Sequence, residues 1–245
     1  MCCFKSLFRK QKDPNPQDLV ESFKISFEKE NTIDLAVDVS DLVFDKLIDP
    51  EVLNSIPVVR LLYGIYKIYK DVHSYRLAKK IYRFLYDIRE IGVDEKRKFI
   101  EDYIESNQED GVDALLSVID QLDNQNKVSI MASMLKAKIE DKITIVEFNR
   151  LVACLQHIPY TDILRLKDYT EDHFEPGVTE ILYAAGVLFL SDENFEECTS
   201  SYKLNYNGYL LLKYGLKEDV QLPKDYKVKR LSPMAIDEID RITLQ

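Results

Sequence analysis

Three histidines, His73, His157 and His173, and four cysteines, Cys2, Cys3, Cys154 and Cys198, are the side chains best suited to nucleophilic, acid–base or metal chemistry in this sequence. Their spacing forms no local catalytic signature. There is no G-x-S-x-G elbow, no H-E-x-x-H pair and no glycine-rich phosphate loop, and seven glycines leave little material for one. The cysteines include no C-x-x-C pair, so neither a zinc site nor a redox motif is indicated. No catalytic residue, metal ligand or cofactor is therefore assigned. Triads are spatial, so an enzyme whose site leaves no sequence signature stays open as a third reading.

One segment imitates a calcium loop. Lys136 to Phe148, KAKIEDKITIVEF, places Glu147 where an EF-hand has its bidentate carboxylate. Counting back puts Lys136 and Lys138 at the first and third ligand positions and Asp141 where the loop needs glycine. Two ammonium groups in place of carboxylates exclude calcium. Thr144-Ile145-Val146-Glu147 reads instead as a T-x-x-E capping box ahead of Phe148, Leu151, Val152 and Leu155.

The richest chemistry lies between residues 60 and 89. Arg60, Lys67, Lys70, Arg76, Lys79, Lys80, Arg83 and Arg89 are interrupted only by Asp71, His73 and Asp87, and tyrosines interleave with them, Tyr75 centrally. The candidate binding residues are Arg60, Lys67, Lys70, Tyr75, Arg76, Lys79, Lys80 and Arg83. Such a set can lie on anionic lipid, grip a nucleic-acid backbone or meet an acidic protein. It can equally be a pair of core helices whose cations project into water. The lysines are expected to act through charge, and Ile65, Ile68, Ile81 and Leu85 to face a core. Pro57–Tyr69 is too apolar for an ordinary solvated face, which favours a lipid or hydrophobic partner among the functional readings.

The elements that must position these residues are mostly helical. Hydrophobic periodicity and capping residues predict helices over 17–30, 33–48, 57–90 (with a break near His73-Ser74), from Asp94 to about 106, 111–122, 126–138 and from 145. After Pro159 a short helix near 161–169, an acidic turn, a helix around 177–185, two short strands and an amphipathic run from Tyr206 to Tyr214 follow. Residues 1–16 read as a basic tail stopped by Asp13 to Pro16. It is either a frayed end or a small anchor built on Phe4, Leu7 and Phe8, with Cys2 and Cys3 open to acylation.

These readings give a mainly α fold. The expected organisation is a disordered basic tail over 1–16, a helical domain over 17–158 and a small α+β domain over 159–245. Seven glycines and eight prolines in 245 residues suit long helices with short loops rather than a β-sandwich. In the last third, AAGVLFL and YKLNYNGYLLLKYGL resemble the helix–strand and wing–helix segments of winged-helix domains. That resemblance implies a winged-helix-like fold and, as an alternative function, a transcriptional regulator. The DNA-reading role meets an obstacle: residues 161–245 carry sixteen acidic and ten basic side chains, and acidic surfaces repel phosphate. The whole chain also resembles uncharacterised bacterial proteins sharing an S-x-P…Y-K…K-K-x-x-x-F-L core, here Ser55, Pro57, Tyr69-Lys70, Lys79-Lys80 and Phe84-Leu85. That likeness carries no known activity; the role it suggests is in phage-related defence or regulation.

The net charge of −10 argues against general nucleic-acid binding. Unpaired cysteines, and a first twelve residues broken by Lys5, Arg9, Lys10 and Lys12, lead to the expectation of a cytoplasmic protein, in part peripheral to a membrane. The leading reading is a non-enzymatic adaptor or effector docking through its basic aromatic helices to a protein partner or an anionic membrane surface. Nucleic acid is not expected as a partner, and no small molecule is indicated.

Overall fold

The computed structural model describes residues 16–28, 56–107, 111–194 and 199–222. The expected tail anchor and the expected helix over 33–48 lie outside these residues. Within them the chain is mainly helical, with ten α-helices and one two-stranded antiparallel sheet.

Helix α1 (Pro16–Glu28) buries Phe23 and Phe27, one turn apart, and the Phe27 ring stacks on Phe84 with centroids 6.3 Å apart. Helix α2 (Pro57–Tyr69) starts on Pro57, whose missing N–H costs nothing in a first turn. Ile56 supplies no side-chain cap, and α1 makes good the loss: the Val58 amide donates to Ser26 Oγ at 3.2 Å. Helix α3 (Val72–Asp87) buries Leu77, Ala78, Ile81, Phe84 and Leu85 at the three- and four-residue spacing of a core face.

The break between α2 and α3 falls at Lys70-Asp71, not at His73-Ser74. Lys70 adopts φ 55° and its amide donates to Tyr66 O at 2.8 Å, which ends α2. Asp71 then accepts the amides of His73 at 3.1 Å and Ser74 at 3.0 Å, which starts α3. Ser74, a breaker on composition, is a donor to this cap.

Helix α4 (Val93–Asn107) begins ahead of Asp94, the expected cap, which lies instead in its first turn; Glu95 Oε2 takes the Gly92 amide at 2.9 Å. Helices α5 (Gly111–Gln121), α6 (Gln125–Ile139) and α7 (Ile145–His157) follow as the periodicity predicts. The capping box at the start of α7 is complete: Glu147 N donates to Thr144 Oγ1 at 3.2 Å and Thr144 N to Glu147 Oε2 at 2.6 Å. Glu147 Oε1 accepts the Tyr206 hydroxyl at 2.7 Å, so both carboxylate oxygens are engaged.

Beyond α7 come α8 (Tyr160–Ile163), a 3-10 turn over Leu166–Thr170, α9 (Val178–Ala184), strands β1 (Leu188–Asn194) and β2 (Thr199–Leu204), and α10 (Tyr206–Leu210) running into a π turn over Leu211–Gly215. The hairpin pairs Leu188 with Leu204, Phe189 with Lys203 and Leu190 with Tyr202 before its register slips. His173 adds an isolated bridge to Tyr202. One hydrophobic cluster runs from Phe23 to Leu212 and draws on residues either side of 158. Gly215 lets the π turn pack tightly on α6, since a Cβ there would stand 2.9 Å from Ile130 Cγ2. Lys127 and Lys138 are buried and paired, Lys127 with Asp123 at 2.8 Å and Lys138 with Asp102 at 2.9 Å.

Candidate functional site

The turn between α2 and α3 is where apolar and cationic groups meet in the open. Val58, Val59 and Leu62 bury the first half of α2, Ile65 is partly covered, and from Lys67 onward the helix overruns the core. Ile68, Tyr69 and Val72 are consequently 57%, 51% and 54% exposed. This corrects the core-facing expectation for Ile68. Ile81 and Leu85 are buried as expected.

Tyrosines organise the cations around this tip. The rings of Tyr66 and Tyr75 lie 4.8 Å apart across the hairpin. Lys67 Nζ sits 4.7 Å above Tyr63, Lys70 Nζ 5.7 Å above Tyr66 and Lys79 Nζ 5.4 Å above Tyr75. Ring faces attract ammonium groups without neutralising them. Among the described residues no carboxylate lies within ion-pairing distance of Arg60, Lys67, Lys70 or Arg76. Asp71 is the acid within the turn, and its carboxylate is committed to the α3 cap, with hydrogen bonds from Ser74 holding it below the ordinary aspartate range. Positive charge therefore dominates the tip.

The eight residues singled out in sequence are not all brought to one place. Lys67, Lys70, Tyr75, Arg76 and Lys79 gather on the hairpin near its turn. Arg60 is exposed at the far end of α2. Lys80 and Arg83 point into the molecule: Lys80 Nζ donates to the Asp120 carbonyl, and Arg83 Nε reaches Asp87 Oδ2 at 3.0 Å and Ser129 Oγ at 2.8 Å. Burial lowers the Lys80 ammonium pKa, with Asp120 and Asp123 opposing. These two residues tie α3 to α5 and α6. Val72 carried no expectation and Ile68 a core-facing one; the D-x-x-S cap at Asp71 to Ser74 is the signal in the sequence that sets both beside a turn.

A second cluster joins Asp168, His173 and Glu175, whose nearest ligand-type atoms lie within 4.8 Å of one another. Arg165 already supplies the cation there. Its Nη2 stands 2.9 Å from Glu175 Oε2 and its Nε 3.2 Å from Asp168 Oδ2, so a metal ion would have to displace a guanidinium. His173 packs edge-on against Tyr169 with centroids 4.8 Å apart. An apolar patch lies beside it, where Phe174 and Tyr183 flank Tyr202 at 6.3 and 5.4 Å. Cys154 offers no nucleophile, since it is buried and burial pushes its thiol pKa up. No helix among the described residues is long and apolar enough to cross a membrane. No protein family, curated protein or solved structure matches the chain.

Proposed function

We propose that this chain is a docking adaptor or effector, acting by binding rather than catalysis, and that it engages an anionic surface through the α2–α3 turn. The observation that carries this is the exposure of Ile68, Tyr69 and Val72 beside Lys67, Lys70 and Arg76, cations that no carboxylate of the described residues neutralises. Exposed apolar groups at a loop tip cost solubility unless function uses them. Cations held on aromatic faces keep their charge for a partner.

The test is a photo-crosslinking residue at position 68 in the full chain, which reports whatever the turn touches in the cell. Adducts are expected at 68 and should disappear when Lys67, Lys70 and Arg76 are all changed to glutamate. The same adducts in the charge-reversed chain, or none in either, would sink the reading.

The order α9, hairpin, α10 favours a second reading, a winged-helix-like unit in the last third. Its acidic balance supports protein contact over DNA reading.

A further inference from the structure

We infer that the anionic surface met by the α2–α3 turn is the headgroup zone of a lipid bilayer, with Ile68 and Val72 inserted and Lys67 and Lys70 at the phosphate level. This rests on the docking reading and names its partner.

Placement is the first argument. Ile68, Tyr69 and Val72 are exposed at the end of α2 and the start of α3, past the last buried residue of α2. Apolar groups on such a turn enter a fluid interface without needing a matching pocket. Chemistry is the second. Amphipathic membrane-surface elements place aliphatic side chains below a ring of lysines, with tyrosine at headgroup depth. Here Ile68 and Val72 supply the aliphatic part, Tyr69 the ring, and Lys67 and Lys70 flank it. Lysine stems reach upward from an apolar body while their ammonium groups stay wet. Charge complementarity is the third. The molecule as a whole carries −10, which an anionic bilayer repels, so attraction requires a local concentration of cations. The turn supplies one in Lys67, Lys70 and Arg76, with which no carboxylate of the described residues pairs. A base edge or phosphate ladder would instead need a basic face broad enough to follow a backbone, and Lys80 and Arg83, which would extend the face along α3, are turned inward.

The sequence has no tryptophan, so one introduced residue is a unique reporter. The experiment uses the full chain carrying Ile68→Trp, with Val72→Trp as a second reporter should the first disturb the fold. Vesicles of phosphatidylcholine alone are compared with vesicles containing about one third phosphatidylserine. The expected result is a blue-shifted emission with the anionic vesicles and quenching by lipids brominated high on the acyl chain. Lys67→Gln and Lys70→Gln should each weaken binding roughly fivefold, the equivalent of about 1 kcal/mol per basic residue near a lipid surface. Lys80→Gln, at a residue turned into the molecule, should leave vesicle affinity unchanged. If the chain ignores both vesicle types while position 68 crosslinks to a protein, the lipid inference is wrong and the docking reading stands. If the chain sediments with vesicles but neither reporter shifts, another surface makes the contact and both are wrong.

Discussion

At the scale of single residues, two positions test how the backbone was fixed. Gly208 lies in the first turn of α10, where its amide donates to the Asn205 side chain at 3.1 Å. A Cβ there would stand 2.2 Å from the Val187 carbonyl oxygen, a backbone atom that cannot swing aside. Gly208→Ala should therefore destabilise the protein by about 1–3 kcal/mol, the usual cost of overpacking, read as a lower denaturation midpoint. An unchanged midpoint would mean that the Val187–Gly208 approach is not as close as described. Asp71 tests charge. Its pKa is depressed by the Ser74 hydroxyl and amide and the His73 amide, so it stabilises the fold above the ordinary aspartate value and loses that effect as pH falls through its lower folded value. Below about pH 4 the wild-type chain should lose stability in a step that Asp71→Asn, which keeps the cap acceptor, lacks. Acid titrations of the two by circular dichroism make the comparison.

At the scale of elements, helices here end where a cap or a steric limit ends them, and the caps can be weighed. Gly64 lies inside α2, and a Cβ there would meet nothing within 4 Å. Gly64→Ala should raise stability by about 0.5–1 kcal/mol through helix propensity and loss of unfolded-state freedom. A loss instead would show that the α2 surface near the tip is covered. The α7 capping box is the opposite case. Thr144→Ala removes the acceptor of the Glu147 amide and should cost about 0.5–2 kcal/mol in chemical denaturation. Because both Glu147 oxygens are already bonded, to Thr144 N and Tyr206 Oη, millimolar calcium should leave the melting temperature where it is. A rise of several degrees would mean that the loop binds the ion after all.

At the scale of the molecule, the opposed charges of tip and body decide which partners can approach. A chain at −10, with an acidic final third, should bind duplex DNA no more tightly than about 1 μM at physiological salt, short of typical specific affinities. Nanomolar, salt-sensitive shifts in an electrophoretic assay would promote the winged-helix regulator instead. The cationic tip acts at short range, because charges beyond a Debye length of about 8 Å are screened at physiological ionic strength.

Local sequence determined most of the elements among the described residues. The T-x-x-E box started α7 where expected, and hydrophobic spacing located α5, α6, α9 and the hairpin, because caps and periodicity are interactions among residues a few positions apart. The cationic, tyrosine-rich character of 60–89 was equally plain, since composition needs no fold to be read. What only the tertiary structure decided was which of those residues face outward. Ile68 and Ile81 are alike in sequence, yet one lies past the end of the core and the other at its centre. Lys70 and Lys80 are likewise alike, but Asp120, forty residues further on, turns Lys80 inward, while no carboxylate among the described residues pairs with Lys70. The Arg165–Asp168–Glu175 ion pairs and the Tyr206–Glu147 hydrogen bond have the same origin. Burial and pairing are set by where helices cross and where they stop, and those are properties of the packed chain rather than of any window along it.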